Sequence, residues 1–167
     1  MAALFKERME TVREVADYAA SQGVMTMTEN HGFFSQDSDR VEKLYMAVDH
    51  PNFGLLCDLG NFLCADENPA EAVARIAPYT RYVHGKDFIV KPFYSEDPGE
   101  GAFRSRGGNF LRGTIIGHGN VQVKHCLHLL KAAGFDGTIS IEFEGMEHCV
   151  DEVRIGLANL KEYWREV

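Results

Sequence analysis

The chain lacks the patterns that would place it in several functional classes. It has four cysteines, Cys57, Cys64, Cys126 and Cys149, and no C-x-x-C pair. A zinc ribbon and a dithiol redox motif are therefore excluded. Three of the four lie in or beside apolar segments, so reduced, mostly buried thiols in a cytoplasmic protein are expected. Basic residues are scarce, with 17 Lys and Arg against 25 Asp and Glu and a net charge of −8. Nucleic acid binding needs a basic face, so nucleic acid is not expected as a partner. No apolar run approaches the roughly 18 residues of a membrane span, so no membrane partner is expected either. The opening MAALFKERMETVRE carries charge from Lys6 onward and holds no apolar stretch of signal-peptide length.

What is present is an ordinary globular composition. Over 167 residues, 45% are apolar and 25% charged, enough for one domain with a real core. Leu4, Val12, Val15, Ala16 and Ala19 recur at helical spacing, and Gly23 ends that pattern. VMTMTE then reads as a strand, followed by the loop ENHGFFSQDS. Ser38 or Asp39 is expected to cap a second helix with Val41, Leu44, Tyr45 and Val48 on its buried face, closed by Pro51. Phe53 to Asp58 is the second strand.

Asn68, Pro69 and Glu71 form a helix start. The Asn side chain accepts from the first-turn amides, Pro suits the first helical position, and Glu71 can reach back. That helix ends before Pro78, and Arg81 to Lys86 is the third strand. Residues 121–133 read as a helix capped by Asn120, with Val123, Cys126, Leu127 and Leu130 buried and Gly134 as its stop. Thr138 to Phe143 is the fourth strand. A last helix starts near Asp151 with Val153, Leu157, Leu160 and Trp164 on one face.

The order is one helix and then four strand–helix units, which predicts a parallel sheet with right-handed crossovers. One connection is abnormal. About 30 residues, Phe88 to Gly117, separate the third strand from its helix and are rich in Gly and charge. Loops of that length are functional or disordered. Because this one leaves the third strand, it is read as an active-site lid or substrate loop.

Each of the four strand patterns ends on a residue that binds divalent metal: Glu29, Asp58, His84 and Glu142. Strand C-termini build the active sites of (β/α) barrels. A single strand-end carboxylate is more often a helix cap or a surface charge, so the weight rests on four such residues at corresponding positions. Three carboxylates and one imidazole suit a fairly hard ion, Mn²⁺ or Mg²⁺, with Co²⁺ and Zn²⁺ also compatible. Strand alternation places Glu142 with Ser140 and Thr138, and His84 with Tyr82, on the barrel-lining face. Ile139, Ile141 and Val83 face the helices.

The segments TENHG, CDLGNF, YVHGKDF, GHGNV and GFDGTISIEFEG resemble the xylose isomerase-like barrels. These include sugar phosphate isomerase/epimerases, ketose epimerases, inosose dehydratases and a branch of apurinic endonucleases. The resemblance runs from about Val24 to the C-terminus. It implies an α/β fold that is the C-terminal half of a (β/α)8 TIM barrel, formed by residues 1–167 as a single partial barrel domain. The four units would be strands five to eight, and the first helix the one preceding strand five. It implies that Glu29, Asp58, His84 and Glu142 hold a divalent metal, Mn²⁺ first.

By the same resemblance Glu29 and Glu142 flank the substrate. One removes a proton next to a carbonyl and the other returns it on the opposite face, while the metal stabilises the enediolate. The implied activity is a sugar, sugar-phosphate or polyol isomerase or epimerase. A lyase or dehydratase on the same scaffold is the alternative, as is an inactive half that needs a partner chain. Many relatives carry His three residues after the strand-six Asp. Here that position is Asn61, which cannot take up a proton near neutral pH, so any acid/base role there is lost. The apurinic endonuclease branch needs a fuller His and Asp set that this chain does not supply.

Around the quartet, His31, Asn61, Lys86, Arg104, Arg106 and His118 are candidate substrate contacts. His31 could equally support Glu29 from behind, and Lys86 could equally be a surface lysine. Arg104, Arg106 and Arg112 could bind a phosphate or carboxylate, although solvated loop arginines are the blander reading. Full barrels need about 200 residues or more. Three arrangements therefore stay open: a fragment, one subunit of a split barrel, or a homodimer that imitates a full one. The abrupt helical start favours the fragment.

Overall fold

Alternation of strand and helix patterns yields this element order: α1 (Ala2–Ser21), β1 (Thr26–Glu29), α2 (Ser38–Val48), β2 (Phe53–Asp58), α3 (Asn61–Cys64), α4 (Pro69–Ile76), a 3-10 turn (Ala77–Tyr79), β3 (Thr80–Gly85), β4 (Asp87–Lys91), β5 (Phe103–Arg104), β6 (Phe110–Thr114), α5 (Val123–Ala132), β7 (Thr138–Ile141) and α6 (Cys149–Glu166). The structure is a computed structural model. It describes residues 2–32 and 34–167, with side chains from residue 9 onward. Leu4, expected on the buried face of α1, lies outside the described side chains, and Phe33, in the loop after β1, lies outside the described residues.

The four parallel strands stand in the order β1-β2-β3-β7. One face of this sheet packs into the helices. Leu55, Cys57 and Val83 are fully buried there against Val73, Ile76, Leu127 and Leu130, with Ile139 and Ile141 alongside. On the other face, Tyr82 and Ser140 are hydrogen-bonded to each other through their hydroxyls. The alternation expected for β3 and β7 is therefore the observed one. Among the described residues, neither β1 nor β7 pairs with a further strand. The architecture is half of a (β/α)8 barrel.

The helix ends show where local rules hold and where tertiary contacts override them. Asn68 Oδ1 accepts from the amides of Ala70 and Glu71, as expected. For α2 the cap is Asp37, whose Oδ1 accepts from Arg40 N, and not Ser38 or Asp39. Ser38 is buried and gives its amide and hydroxyl to Glu67 instead. Asn120 does not cap α5. Its Oδ1 accepts from Val90 N, and the helix starts at Val123. On α1, Ala16 is fully buried but Val15 is 56% exposed. On α6, Leu160 is buried while Val153 and Leu157 are exposed. Cys57 and Cys126 are buried, whereas Cys149 is exposed; all four thiols are free.

Residues 88–117 are not a structureless loop. Strands β4, β6 and β5 form an antiparallel sheet in that order. The chain leaves β3 at Gly85 and turns into β4 at Asp87, so the third strand ends one residue earlier than expected. Asp87 fixes this turn. Its carboxylate accepts from the amides of Phe88, Gly117, Gly119 and Val121 at 2.9, 2.9, 2.9 and 3.0 Å, and the residue is 1% exposed. Burial raises the Asp87 pKa, and the four amides oppose that rise. Gly119 is required at this point, because a Cβ there would lie 2.2 Å from Asp87 Oδ1. Replacing Asp87 by Ala would leave four amides without their acceptor. We expect Asp87→Ala to lose roughly 3 kcal/mol or more in urea unfolding; a loss within roughly 0.5 kcal/mol would show that the carboxylate is not the anchor.

Candidate metal centre

The quartet is assembled by the stagger of the sheet. Asp58 is registered with His84, and His84 with Ser140, so Glu142 stands one same-face step further along. Glu29 is registered with Leu56, one such step below Asp58. The ladder continues past the strand ends through Leu59 N to His84 O and Glu142 N to Gly85 O, both 3.0 Å. One ligand atom from each of Glu29, Asp58, His84 and Glu142 falls within 4.8 Å of all the others. His84 Nδ1 lies 3.2 Å from Glu29 Oε1, 2.9 Å from Glu142 Oε2 and 3.8 Å from Asp58 Oδ2.

Asp58 is held on two sides. Asn30, fully buried, clamps its backbone: Asn30 Nδ2 donates to Asp58 O at 2.9 Å, and Asp58 N donates to Asn30 Oδ1 at 2.7 Å. Asp58 Oδ1 accepts from the amides of Gly60 and Asn61, both at 2.8 Å. That leaves Oδ2 aimed into the cluster. Asp58 Oδ2 and Glu142 Oε2 are both buried without a hydrogen bond. Two such carboxylate oxygens facing one space call for positive charge beside them, and Lys86 Nζ is the nearest ammonium.

Lys86 supplies part of that charge. It is 1% exposed, so it is not a surface lysine. Its Nζ lies 3.2 Å from Asp58 Oδ2, 3.1 Å from Glu142 Oε2 and 3.4 Å from Glu144 Oε1, and it donates to Asn61 Oδ1 at 3.3 Å. Burial lowers the Lys86 pKa, but Asp58, Glu144 and Glu142 together outweigh it and hold the ammonium above its usual value. Burial pushes the Asp58 carboxyl well above the usual range, against the pull of Lys86 and the Asn61 amide. Burial also raises Glu142, yet Lys86 beside it brings the net value below the ordinary one. The aliphatic stem of Lys86 passes close to Gly60, where a Cβ would meet Lys86 Cγ at 2.9 Å.

The other sequence candidates divide. Asn61 is 3% exposed and bridges the cluster, with its Nδ2 at 3.5 Å from Glu29 Oε1. His31 is exposed and forms a backbone bridge with Ser35. Arg104 packs over the Phe110 ring, pairs with Asp97 and donates to Gly108 O. Arg106 pairs with Asp37 at 2.9 Å, and Arg112 with Glu147 at 2.9 Å. His118 is exposed beyond β6. Among the described residues, none of these five makes a hydrogen bond or ion pair with the quartet.

Three contributors were not singled out from sequence: Asn30, Asp87 and Glu144. Asn30 directly follows Glu29, and Glu144 shares the strand parity of Glu142, so both carried a positional signal. The Asn30 clamp was hidden because it joins residues 28 apart in sequence.

Fold and site together describe a half-barrel with an acidic and histidine cluster at its strand C-termini. A family described as xylose isomerase-like TIM barrel matches residues 3–166, and the chain belongs to that family. It is 24% identical over 143 residues to an inosose dehydratase of Clostridium botulinum (strain Alaska E43 / Type E3), covering 80% of this chain and 45% of that relative. The chain thus spans about half the length of the curated relatives it matches. A xylose isomerase-like TIM barrel protein from Mycobacterium smegmatis, solved in complex with magnesium, superposes with a TM-score of 0.75 at 23% identity. That match covers 98% of this chain and 53% of the other. A D-tagatose 3-epimerase-like protein superposes with a TM-score of 0.70 at 24% identity, covering 98% and 55%.

Asn30→Ala would remove both halves of the clamp and leave the Asp58 amide and carbonyl buried and unpaired. A stability loss of roughly 2–4 kcal/mol is expected, together with weaker divalent-metal binding by calorimetry. Unchanged metal affinity in a folded variant would show that the clamp does not position Asp58.

Proposed function

We propose that this chain carries the metal-binding half of a divalent-metal-dependent isomerase or epimerase acting on a sugar, sugar phosphate or polyol. We further read residues 1–167 as one partial barrel domain. The observation that supports the reading is the convergence of Glu29, Asp58, His84 and Glu142, one ligand atom of each lying within 4.8 Å of all the others. Oxygen and imidazole donors suit Mn²⁺ or Mg²⁺.

A divalent cation bound there supplies polarisation of a substrate carbonyl and neighbouring hydroxyl. The residues do the rest. Glu29 and Glu142 approach His84 from two sides, so a substrate seated over the cluster meets a carboxylate on each face. One takes the proton beside the carbonyl, and the other returns a proton to the opposite face. Lys86 keeps Glu142 ionised and therefore competent as a base.

A dehydratase is the second reading, since Asn61 removes an acid/base group that the resemblance to ketose epimerases would place there. Asn61 offers hydrogen bonds without a titrating group, so it can orient a hydroxyl but not exchange protons with it. The likeness to inosose dehydratase points the same way.

Two measurements test these readings. Mn²⁺ at about 100 times its dissociation constant should stabilise the chain by about 2.7 kcal/mol, and EDTA should remove that gain. A melt insensitive to both would sink the metal reading. In the assembled enzyme, Glu142→Gln should abolish deuterium uptake from D2O at the carbon beside the carbonyl, as read by NMR. Wild-type exchange in that variant would rule out Glu142 as the base. Inversion without loss of water identifies the epimerase; loss of water identifies the dehydratase.

A further inference from the structure

We propose that Lys86 is a built-in competitor of the divalent ion at this centre. Its ammonium and the ion are alternative partners for the same two carboxylate oxygens, and binding of the ion transfers the ammonium to Glu144. The inference rests on the metal-centre reading and adds to it the group that sets how tightly the ion is held.

The oxygens carry it. Asp58 Oδ1 is committed to the amides of Gly60 and Asn61, so Oδ2 is the oxygen that Asp58 can offer an ion. Glu142 Oε2 is the oxygen that faces His84 Nδ1, at 2.9 Å. Lys86 Nζ lies against both, 3.2 Å from Asp58 Oδ2 and 3.1 Å from Glu142 Oε2. An ion bonded to either oxygen at about 2.1 Å would stand within roughly 5 Å of that ammonium. Lys86 is 1% exposed, so water screens little of the repulsion between the two cations. Whatever positive charge Lys86 keeps at these oxygens is taken from the affinity for the ion.

A second seat for the ammonium is already in place. Glu144 Oε1 lies 3.4 Å from Lys86 Nζ, and its side chain is 43% exposed. The Glu144 backbone is packed so closely on β6 that Gly113 has no room for a Cβ, which fixes where the Glu144 carboxylate can reach. The stem of Lys86 is pinned at its base, since a Cβ on Gly60 would lie 2.9 Å from Lys86 Cγ and 3.1 Å from Lys86 Cβ. Movement therefore falls to the outer methylenes and the ammonium. The transfer is a short swing from two buried oxygens to one at the solvent boundary, and it gives up the hydrogen bond to Asn61 Oδ1 at 3.3 Å.

Calorimetric titration of the chain with Mn²⁺ tests the proposal. Lys86→Met should bind Mn²⁺ roughly tenfold tighter than wild type or more, because the converging carboxylates then have only the ion to neutralise them. A merely structural role for Lys86 would move affinity the other way. Glu144→Gln, a change on a partly exposed side chain, should weaken Mn²⁺ binding several-fold. That loss should vanish in the Lys86→Met background, because the coupling runs through the ammonium. Equal or weaker binding by Lys86→Met overturns the proposal, and a Glu144→Gln loss that persists in the double variant overturns the transfer to Glu144. If Lys86→Met is unfolded without metal, saturating Mn²⁺ should restore its cooperative melt; a melt that stays broad counts as the overturning result. Wild-type binding with no gain in Lys86→Met sinks the competitor alone. A wild type that binds no Mn²⁺ sinks the metal reading and this inference with it.

Discussion

Mutual repulsion among three converging carboxylates is the constraint on which the rest of this structure depends. Glu29, Asp58 and Glu142 meet within 4.8 Å, and Asp58 is fully buried. Such a cluster is stable only if cationic charge is placed in it and if the backbone resists its spreading. Lys86 provides the internal cation. The Asn30 clamp and the Gly60 and Asn61 amides provide the resistance, because they hold Asp58 through its backbone and through the oxygen that faces away from the cluster.

The same constraint explains the turn after β3. Lys86 must point inward from the residue between two sheets, so the chain reverses its hydrogen-bonding partners within two residues. Asp87 secures that reversal by gathering amides from Phe88 and from residues 117–121. The β4–β6 sheet is thereby attached close to the cluster and packs over its far side. Gly113 lies against the backbone of Glu144, where a Cβ would meet the carbonyl oxygen at 2.3 Å. The segment read as a lid or substrate loop folds as an antiparallel sheet. Its arginines are occupied within it or along its edges: Arg104 on Phe110, Arg106 on Asp37 and Arg112 on Glu147.

The half-barrel also shows how a site can be largely built while its fold remains open. All four quartet residues lie on neighbouring strands of one sheet, so the cluster needs no strand from the missing half. What the open side leaves uncovered is the barrel-lining face, where Tyr82 and Ser140 stand.

The sequence by itself determined the order of the four parallel strands and their helices, the four strand ends whose side chains converge and the face alternation of β3 and β7. These follow from local periodicity, and period and burial agree where one face meets the core. The Asn68 cap was legible for the same reason, since a cap joins neighbours. Only the tertiary structure decided the roles of Asn30, Asp87 and Lys86, the true cap of α2, and the release of Asn120 from capping. Apart from the α2 cap itself, which joins Asp37 to Arg40, these roles depend on partners 25 or more residues away in sequence, brought together by sheet pairing. A side chain's partner at that range is fixed by sheet register, and register is a property of the whole packed sheet rather than of any one strand.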